Sequence, residues 1–228
     1  MISCLIFTKD NADAVIHLYN LVSPYVDEVV VICSDMDCKR KIRDKFDNDT
    51  QCQNARVYYR VPKGYVEAYY EEGIRLCTKD WIFMLDDDEI PSGKLLRWIA
   101  SPKHNHKGYL IPRIEANGNI TYIYRLFHAD FIRITGTIHR GIIPLRKPDS
   151  LLLTYCITHT SKYSAEKSTR FAKIEAEQYP EIIKLSAENC KALRLFYFFI
   201  SSIHRVMTAP NKKDTLIYCW HLFKELII

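Results

Sequence analysis

The sequence predicts an α/β fold: a mixed, mainly parallel sheet flanked by helices, with apolar helices towards the C-terminal end. Three observations carry that prediction. Short apolar, β-branched runs alternate with helical patterns over residues 2–85, the order in which covering helices join parallel strands. One apolar run, residues 81–85, passes directly into four acids, Asp86, Asp87, Asp88 and Glu89. Further on, Asn117-Gly118 separates two strand-like segments, which is a hairpin signal.

Taken in order, Ile2–Thr8 reads as a strand, and Asp10 or Asn11 as the cap of a helix carrying Val15, Leu18 and Val22. Pro24 closes that helix. Residues 26–33, VDEVVVIC, are rich in β-branched side chains and form a second strand. A turn at 34–37 leads to a basic, polar helix over 39–46, and a polar loop at 47–54 to a third strand at 56–61. Val66, Tyr70, Ile74 and Cys77 share one face of a helix over 64–77. The run from Trp81 leaves no room for three helical turns before the acids, so it is a buried strand at the centre of the sheet. Pro91 stops its ladder. Residues 92–100 suit a short helix, 107–113 a strand, and 120–127 its hairpin partner. The apolar run 151–158 reads as a further strand with His159 at its mouth.

A chain of 228 residues can bury a sizeable core. Its net charge of +5 is spread along the chain, which fits an anionic substrate or a membrane surface at least as well as nucleic acid. Nothing repeats, and no GxxxxGK[ST] phosphate loop is present. The opening MISCLIFTKD lacks a basic n-region and a long apolar run, so a cytoplasmic placement is expected. The eight cysteines show no CxxC pair and no zinc spacing. Cys4, Cys33 and Cys77 lie in or beside apolar segments, as core thiols do; a Cys33 disulfide with Cys38 or Cys52 is the alternative, suited to a hyperthermophile.

Carboxylates at the carboxyl end of a central strand sit at the crevice where α/β sheets bind ligands. Several acids held together repel unless a cation or hydrogen-bond donors compensate. Oxygen-rich ligation suits Mg²⁺ or Mn²⁺, ions that also bind phosphates. An acidic run after a strand can also be a plain solvated turn, but the strand context and the Asp-x-Asp spacing of Asp86 and Asp88 favour a metal-nucleotide site.

The segments ISCLIFTKDNAD, VVVICSD and TKDWIFMLDDDEIPS resemble the nucleotide-sugar half of family 2 glycosyltransferases of the GT-A fold. Downstream, GYLIPRI, YRLFHADFIRITGTIHRGI and THTSKYSAEKSTRFAKIEAEQY resemble the branch that contains lipopolysaccharide-core glucosyltransferases, so the likeness spans residues 1–179. The resemblance implies a transferase domain over 1–180, with a nucleotide-sugar half at 1–92 and an acceptor half at 93–180, followed by an extension at 181–228. It implies transfer of a sugar from a nucleoside-diphosphate sugar to an acceptor hydroxyl, with inversion and a divalent metal, Mn²⁺ or Mg²⁺. By position, Asp86 would approach the ribose, Asp88 would hold the metal and act in catalysis, and Glu89 would orient the metal site. Asp10 and Asn11 would contact the nucleotide. Asp35 would meet the base or ribose, or else simply form the turn. Arg125 would lie near the donor diphosphate or the acceptor, whereas spacing alone makes it a solvent-facing strand residue.

One segment departs from the family pattern. Where the family shows His-Glu, this chain has His139-Arg140. Either His139 takes the role of catalytic base, as a neutral imidazole can, or another acid such as Asp130 or Glu115 approaches from elsewhere in the fold, or the acceptor chemistry differs. His159 would complete the metal shell. Lys167 and Arg170, three apart on a helix face, would neutralise the leaving diphosphate; the plainer reading is a solvated basic helix.

Residues 193–207 and 216–228 are apolar and aromatic, flanked by Lys191, Arg194, Arg205 and Lys224 and joined by a linker at 209–214. Both fall short of the ~20 apolar residues a spanning helix needs. They read as helices packed on the domain or on a second copy in a homodimer, or lying in a membrane interface through 191–228. The expected partners are a nucleotide-sugar donor and a glycan or lipid-linked acceptor, and not nucleic acid. Two other classes share the acidic motif: a metal-dependent nucleotidyltransferase, and a degenerate glycosyltransferase-like binding protein. A prenyl-synthase-like motif would need these acids on a helix, which Pro91 opposes.

Overall fold

The computed structural model describes residues 1–49, 52, 54–101, 105–116, 118–135, 142–145, 150–152, 155–160, 170 and 174. The chain divides into two compact units, one of residues 1–116 and 120–160, the other of 117–119 and 161–228. The expected C-terminal helices and their linker lie outside the described residues. Among the described residues no helix is long and apolar enough to cross a membrane.

In the first unit, β1 (Ile2–Thr8), α1 (Ala12–Val22), β2 (Glu28–Cys33), α2 (Met36–Asp47), β3 (Ala55–Tyr59), α3 (Tyr70–Leu76) and β4 (Trp81–Asp86) alternate as expected. They are followed by β5 (Glu89–Pro91), α4 (Gly93–Ile99), β6 (Gly108–Ile114), β7 (Ile120–His128), β8 (Ile132–Ile134), β9 (Ile142–Pro144), β10 (Ser150–Leu152) and β11 (Ile157–His159). The main sheet runs β3-β2-β1-β4-β7-β6-β11-β5, with β10 on β6; β8 and β9 form a separate ribbon. The first four strands are parallel, with Ile2 opposite Trp81 and Phe7 opposite Asp86. From β4 onwards the sheet becomes mixed: β7 is antiparallel to both β4 and β6, β11 is parallel to β6, and β5 is antiparallel to β11.

All seven residues of β1 and all six of β2 are buried, because helices cover both faces and leave no polar side to alternate. On one face Cys4, Ile6, Val29, Val31, Phe83 and Leu85 pack with α1, α2 and α4 through Val15, Leu18, Ile42 and Leu95. On the other, Leu5, Phe7, Val30, Ile32, Ile82 and Met84 pack with Tyr70, Phe127 and Phe131. Burying each such side chain stabilises the fold by about 1.5–3 kcal/mol.

Three elements differ from expectation. Helix α2 starts at Met36, three residues early, because the Asp35 carboxylate accepts from the Cys38 amide at 2.7 Å and caps it. The helix expected over 64–77 is a 3₁₀ turn at Val66–Tyr69 followed by α3; the Tyr69 hydroxyl donates to the Val61 carbonyl at 2.8 Å and ties that turn to the end of β3. Residues 89–91 do not end the pairing but form β5 against β11, with His159 opposite Glu89. The disulfide alternative is overturned, since Cys33, Cys38 and Cys52 are all free thiols in the core. Burial, with the neighbouring Cys33, pushes the Cys38 thiol up to about 12.

At the amino-terminal edge of the sheet, Glu28 is only 7% exposed and joins three segments. Its carboxylate accepts from the Ser3 hydroxyl at 2.5 Å, from the Thr78 amide at 2.8 Å, and from Arg56. Burial works against the charge, yet these donors and Arg56 hold the Glu28 carboxyl below its ordinary value. A group depressed on folding contributes stability above its unfolded pKa and loses it as pH falls through the folded one. Glu28→Gln is therefore expected to cost about 1–3 kcal/mol at pH 7. In urea denaturation that loss should shrink as pH drops below the ordinary carboxylate range; a loss constant with pH would contradict the assignment.

Candidate functional site

Strand β4 ends at Asp86 on the carboxyl edge of the sheet, and the turn after it carries Asp87 and Asp88. The neighbouring β1 fixes this turn: the Asp87 amide donates to the Phe7 carbonyl at 3.0 Å, and the Thr8 hydroxyl donates to Asp87 Oδ2 at 2.5 Å. The first residue of β5, Glu89, has no exposed surface. Its Oε2 accepts from the Asp86 amide at 3.1 Å, while Oε1 accepts from Arg125 at 2.7 Å and from Arg113 at 3.1 Å. Arg125, buried on β7, also donates to Asp86 Oδ2 at 2.6 Å. Arg113, on β6, reaches Glu115 at 2.8 Å as well.

Glu115 carries the network to β11. It accepts from the Thr121 hydroxyl at 2.7 Å, and its Oε2 lies 2.6 Å from His159 Nδ1. The other ring nitrogen, Nε2, is 3.2 Å from Asp88 Oδ2. The Asp88 carbonyl in turn accepts from the Thr160 amide at 2.9 Å. The acids of one turn are thus gathered with cations from β6, β7 and β11.

Burial shapes the charges. It pushes the Asp86 carboxyl up to about 6, Arg125 opposing and Glu89 and Asp88 adding to the rise. Burial also works against the Arg125 charge, but Asp86 and Glu89 outweigh it and hold the guanidinium firmly protonated. For Glu115, burial is overcome by His159, Thr121 and Arg113, and its carboxyl falls to about 2. Burial alone would lower His159, but hydrogen bonds to Asp88 and Glu115 raise it to about 9. Among the described residues, Asp86, Asp88, Glu89 and Glu115 thus share three cationic partners, Arg113, Arg125 and His159.

The donors suit a hard divalent ion. Asp88 Oδ2 and His159 Nε2, hydrogen-bonded to each other at 3.2 Å, could both turn to an ion once the ring gives up its Nε2 proton. Asp86 Oδ1 is buried with no hydrogen-bond partner, an arrangement that asks for a ligand or an ion. Among the described residues no three His, Cys, Asp or Glu side chains form a complete metal shell.

The structure therefore brings together Asp86, Asp88, Glu89, Glu115, Arg125 and His159 of the residues singled out from sequence. Arg125 is not solvent-facing: it lies on a strand between β4 and β6 and is 4% exposed, as the counter-ion of the buried Glu89 and the half-buried Asp86. Asn11 accepts from the Ala14 amide at 3.1 Å and caps α1, and its own amide donates to Thr8 Oγ1 at 3.2 Å. Asp10 is exposed, 3.3 Å from Lys9, and Asp35 caps α2. Asp130 follows β7 beyond His128, which pairs with Trp81 at the start of β4. The five steps from Trp81 to Asp86 put it about 17 Å away along the strand, where it pairs with Lys107, so it is not a base for this site. His139, Arg140 and Lys167 lie outside the described residues. Arg170 is exposed and helical in the second unit. Sequence reading missed Thr8, Arg113 and Thr121; the last two face each other across the hairpin, a pairing the Asn117-Gly118 turn foreshadows.

No family model matches the chain, and no curated protein matches it. Solved structures do. S. aureus TarS 1-349 aligns over 98% of this chain and 90% of its own, with TM-score 0.54 and 12% identity. Its complex with UDP aligns over 99% and 88%, with TM-score 0.55 and 14% identity. The mannosyltransferase PcManGT from Pyrobaculum calidifontis, in complex with GDP-Man and Mn²⁺, aligns over 99% and 86%, with TM-score 0.57 and 10% identity. At such identities the likeness is one of architecture, and the fold of this chain is the glycosyltransferase fold of the GT-A type.

Proposed function

We propose that the chain is a metal-dependent glycosyltransferase that moves a sugar from a nucleoside-diphosphate sugar to an acceptor hydroxyl, with inversion. One observation carries this reading: Asp86 and Asp88, at the carboxyl end of the central strand, meet His159 and a buried arginine in one network that leaves Asp86 Oδ1 buried with no hydrogen-bond partner. The ligands named for PcManGT (GDP-Man and Mn²⁺) and for TarS (UDP) agree with it.

Asp88 and His159 would hold the ion. Bound Mn²⁺ or Mg²⁺ supplies Lewis-acid stabilisation of the leaving diphosphate. Glu115 orients the His159 ring through Nδ1, as partners of metal-bound histidines do. Asp86 presents Oδ1 to the ribose, and the Arg125–Glu89–Arg113 bridge keeps that carboxylate in place. Asp10, Asn11 and Asp35 stand at the carboxyl ends of β1 and β2 on the nucleotide side, and Lys167 with Arg170 would meet the diphosphate. His139 is the proposed base, because Glu115, held near 2, is a weak proton acceptor already engaged by His159. Residues 1–92 then form the donor half and 93–180 the acceptor half. A lipid-linked or glycan acceptor suits a cytoplasmic enzyme that touches the membrane, or a second copy, through 191–228.

The test is titration of the chain with UDP and GDP, with and without Mn²⁺, then incubation with a panel of nucleotide sugars and nucleoside triphosphates. Metal-dependent nucleotide binding and release of nucleoside diphosphate are expected. Release of pyrophosphate would instead mark a nucleotidyltransferase, and absence of metal-dependent binding a degenerate binding protein.

A further inference from the structure

We infer that a depression beside α4 is a binding subsite for an anionic saccharide, the acceptor glycan bearing a phosphate or carboxylate. The inference rests on the transferase reading above for the word acceptor, but the pocket stands on its own geometry. It is a shallow depression open to solvent, of about 420 Å³, bordered by Lys94, Arg97, Trp98 and Tyr155, the form of a site that holds one unit of a longer chain.

The helix explains how these residues come together. Ser92 caps α4 through the Leu95 amide, and Leu95, Leu96 and Ile99 turn into the core. Lys94 and Arg97, at i and i+3, are left exposed, while Trp98 at i+4 and Tyr155 pack partly against the core and border the depression beside the two cations. Neither cation forms an ion pair among the described residues, and both are exposed. Trp98 is half-buried and its ring is pinned edge-on by the buried Tyr109, with centroids 4.9 Å apart at 77°. Tyr155 adds a second ring, 6.3 Å from Trp98.

Half-buried aromatic rings held by the core beside two exposed cations without ion-pair partners among the described residues suit a ligand with both an apolar C–H face and a negative group. A pyranose supplies the first, and its phosphate or carboxylate pairs with Arg97 and Lys94 through charge-assisted hydrogen bonds. A neutral sugar would leave the two cations unused, and a simple anion would leave the rings unused.

The position suits an acceptor. Tyr155 lies four residues before His159 on the segment that becomes β11, and Ile157 pairs with Pro91 next to α4. That separation is about 13 Å at 3.3 Å per residue. A short oligosaccharide anchored by its anionic unit beside α4 thus spans to the acidic cluster.

Titration of the full chain with tetragalacturonic acid, with its methyl ester, and with a phosphorylated oligomannose tests this. Saturable binding of at least one acidic glycan is expected, with the methyl ester about tenfold weaker or more. Lys94→Gln combined with Arg97→Gln, both at exposed positions, should weaken the acidic glycan about tenfold and leave Mn²⁺-dependent UDP or GDP binding unchanged. Binding of none of the three probes overturns the inference. So does a double variant that binds the acid as the unaltered chain does, or one whose only loss is adsorption to anionic phosphatidylglycerol vesicles. Acidic-glycan binding without any nucleotide binding would overturn the donor site and not this pocket.

Discussion

Under the proposed mechanism, Asp88→Asn is expected to lower metal-dependent sugar transfer by about 10³-fold or more, with little change in stability. The expectation follows from where the charge sits. Asp88 is partly exposed on the turn after β4, with its carboxylate against His159 Nε2, so it is the acid best placed to share an ion with that ring. Asparagine keeps the shape and the backbone contacts to Thr160 but loses the anionic ligand. The asparagine Oδ1 can still accept from the His159 ring, so the variant is expected to fold. Initial rates of nucleoside diphosphate release across a Mn²⁺ series, beside a thermal melt, decide the matter. Near-normal turnover in a folded variant would remove Asp88 from the ion site.

Arg125→Met should have the largest effect on stability, a loss of about 3–5 kcal/mol. Methionine fills much of the same space yet strips the counter-ion from Asp86 and from Glu89, which has no exposed surface. An uncompensated carboxylate in that position costs far more than the pair contributes while intact. Arg113 stays on Glu89 at 3.1 Å and limits the damage there, so Asp86 suffers most. Adding Glu89→Gln to Arg125→Met should restore part of the loss, and a double-mutant cycle in urea measures the coupling. Additive losses would show that the two side chains do not act as a pair.

Much of the architecture was legible because it depends on local patterning. The continuous apolar runs of β1, β2 and β4 require cover on both faces, and they have it. Asn11, one of the two candidate caps, caps α1, a short helix follows Pro91, and the hairpin joins β6 to β7 around Gly118 at φ 83°. The early start of α2 was missed because capping by Asp35 depends on how the chain leaves β2. Strand β5 was missed for a similar reason: three residues ending in proline are too few to announce a partner, and β11 is supplied from far along the chain.

The acids at the end of β4 were readable from the sequence alone, since an apolar run that breaks into four carboxylates marks a strand end wherever it occurs. What neutralises them was decided only by the tertiary structure. Arg125 looked like a surface residue because alternation along one strand says nothing about which strands flank it or what covers them. Only the order β4-β7-β6-β11 sets Arg125, Arg113, Glu115 and His159 around Asp86 and Asp88. Spacing along the chain encodes backbone period. The energy of a charge depends on its burial and its partners, which only the assembled sheet specifies.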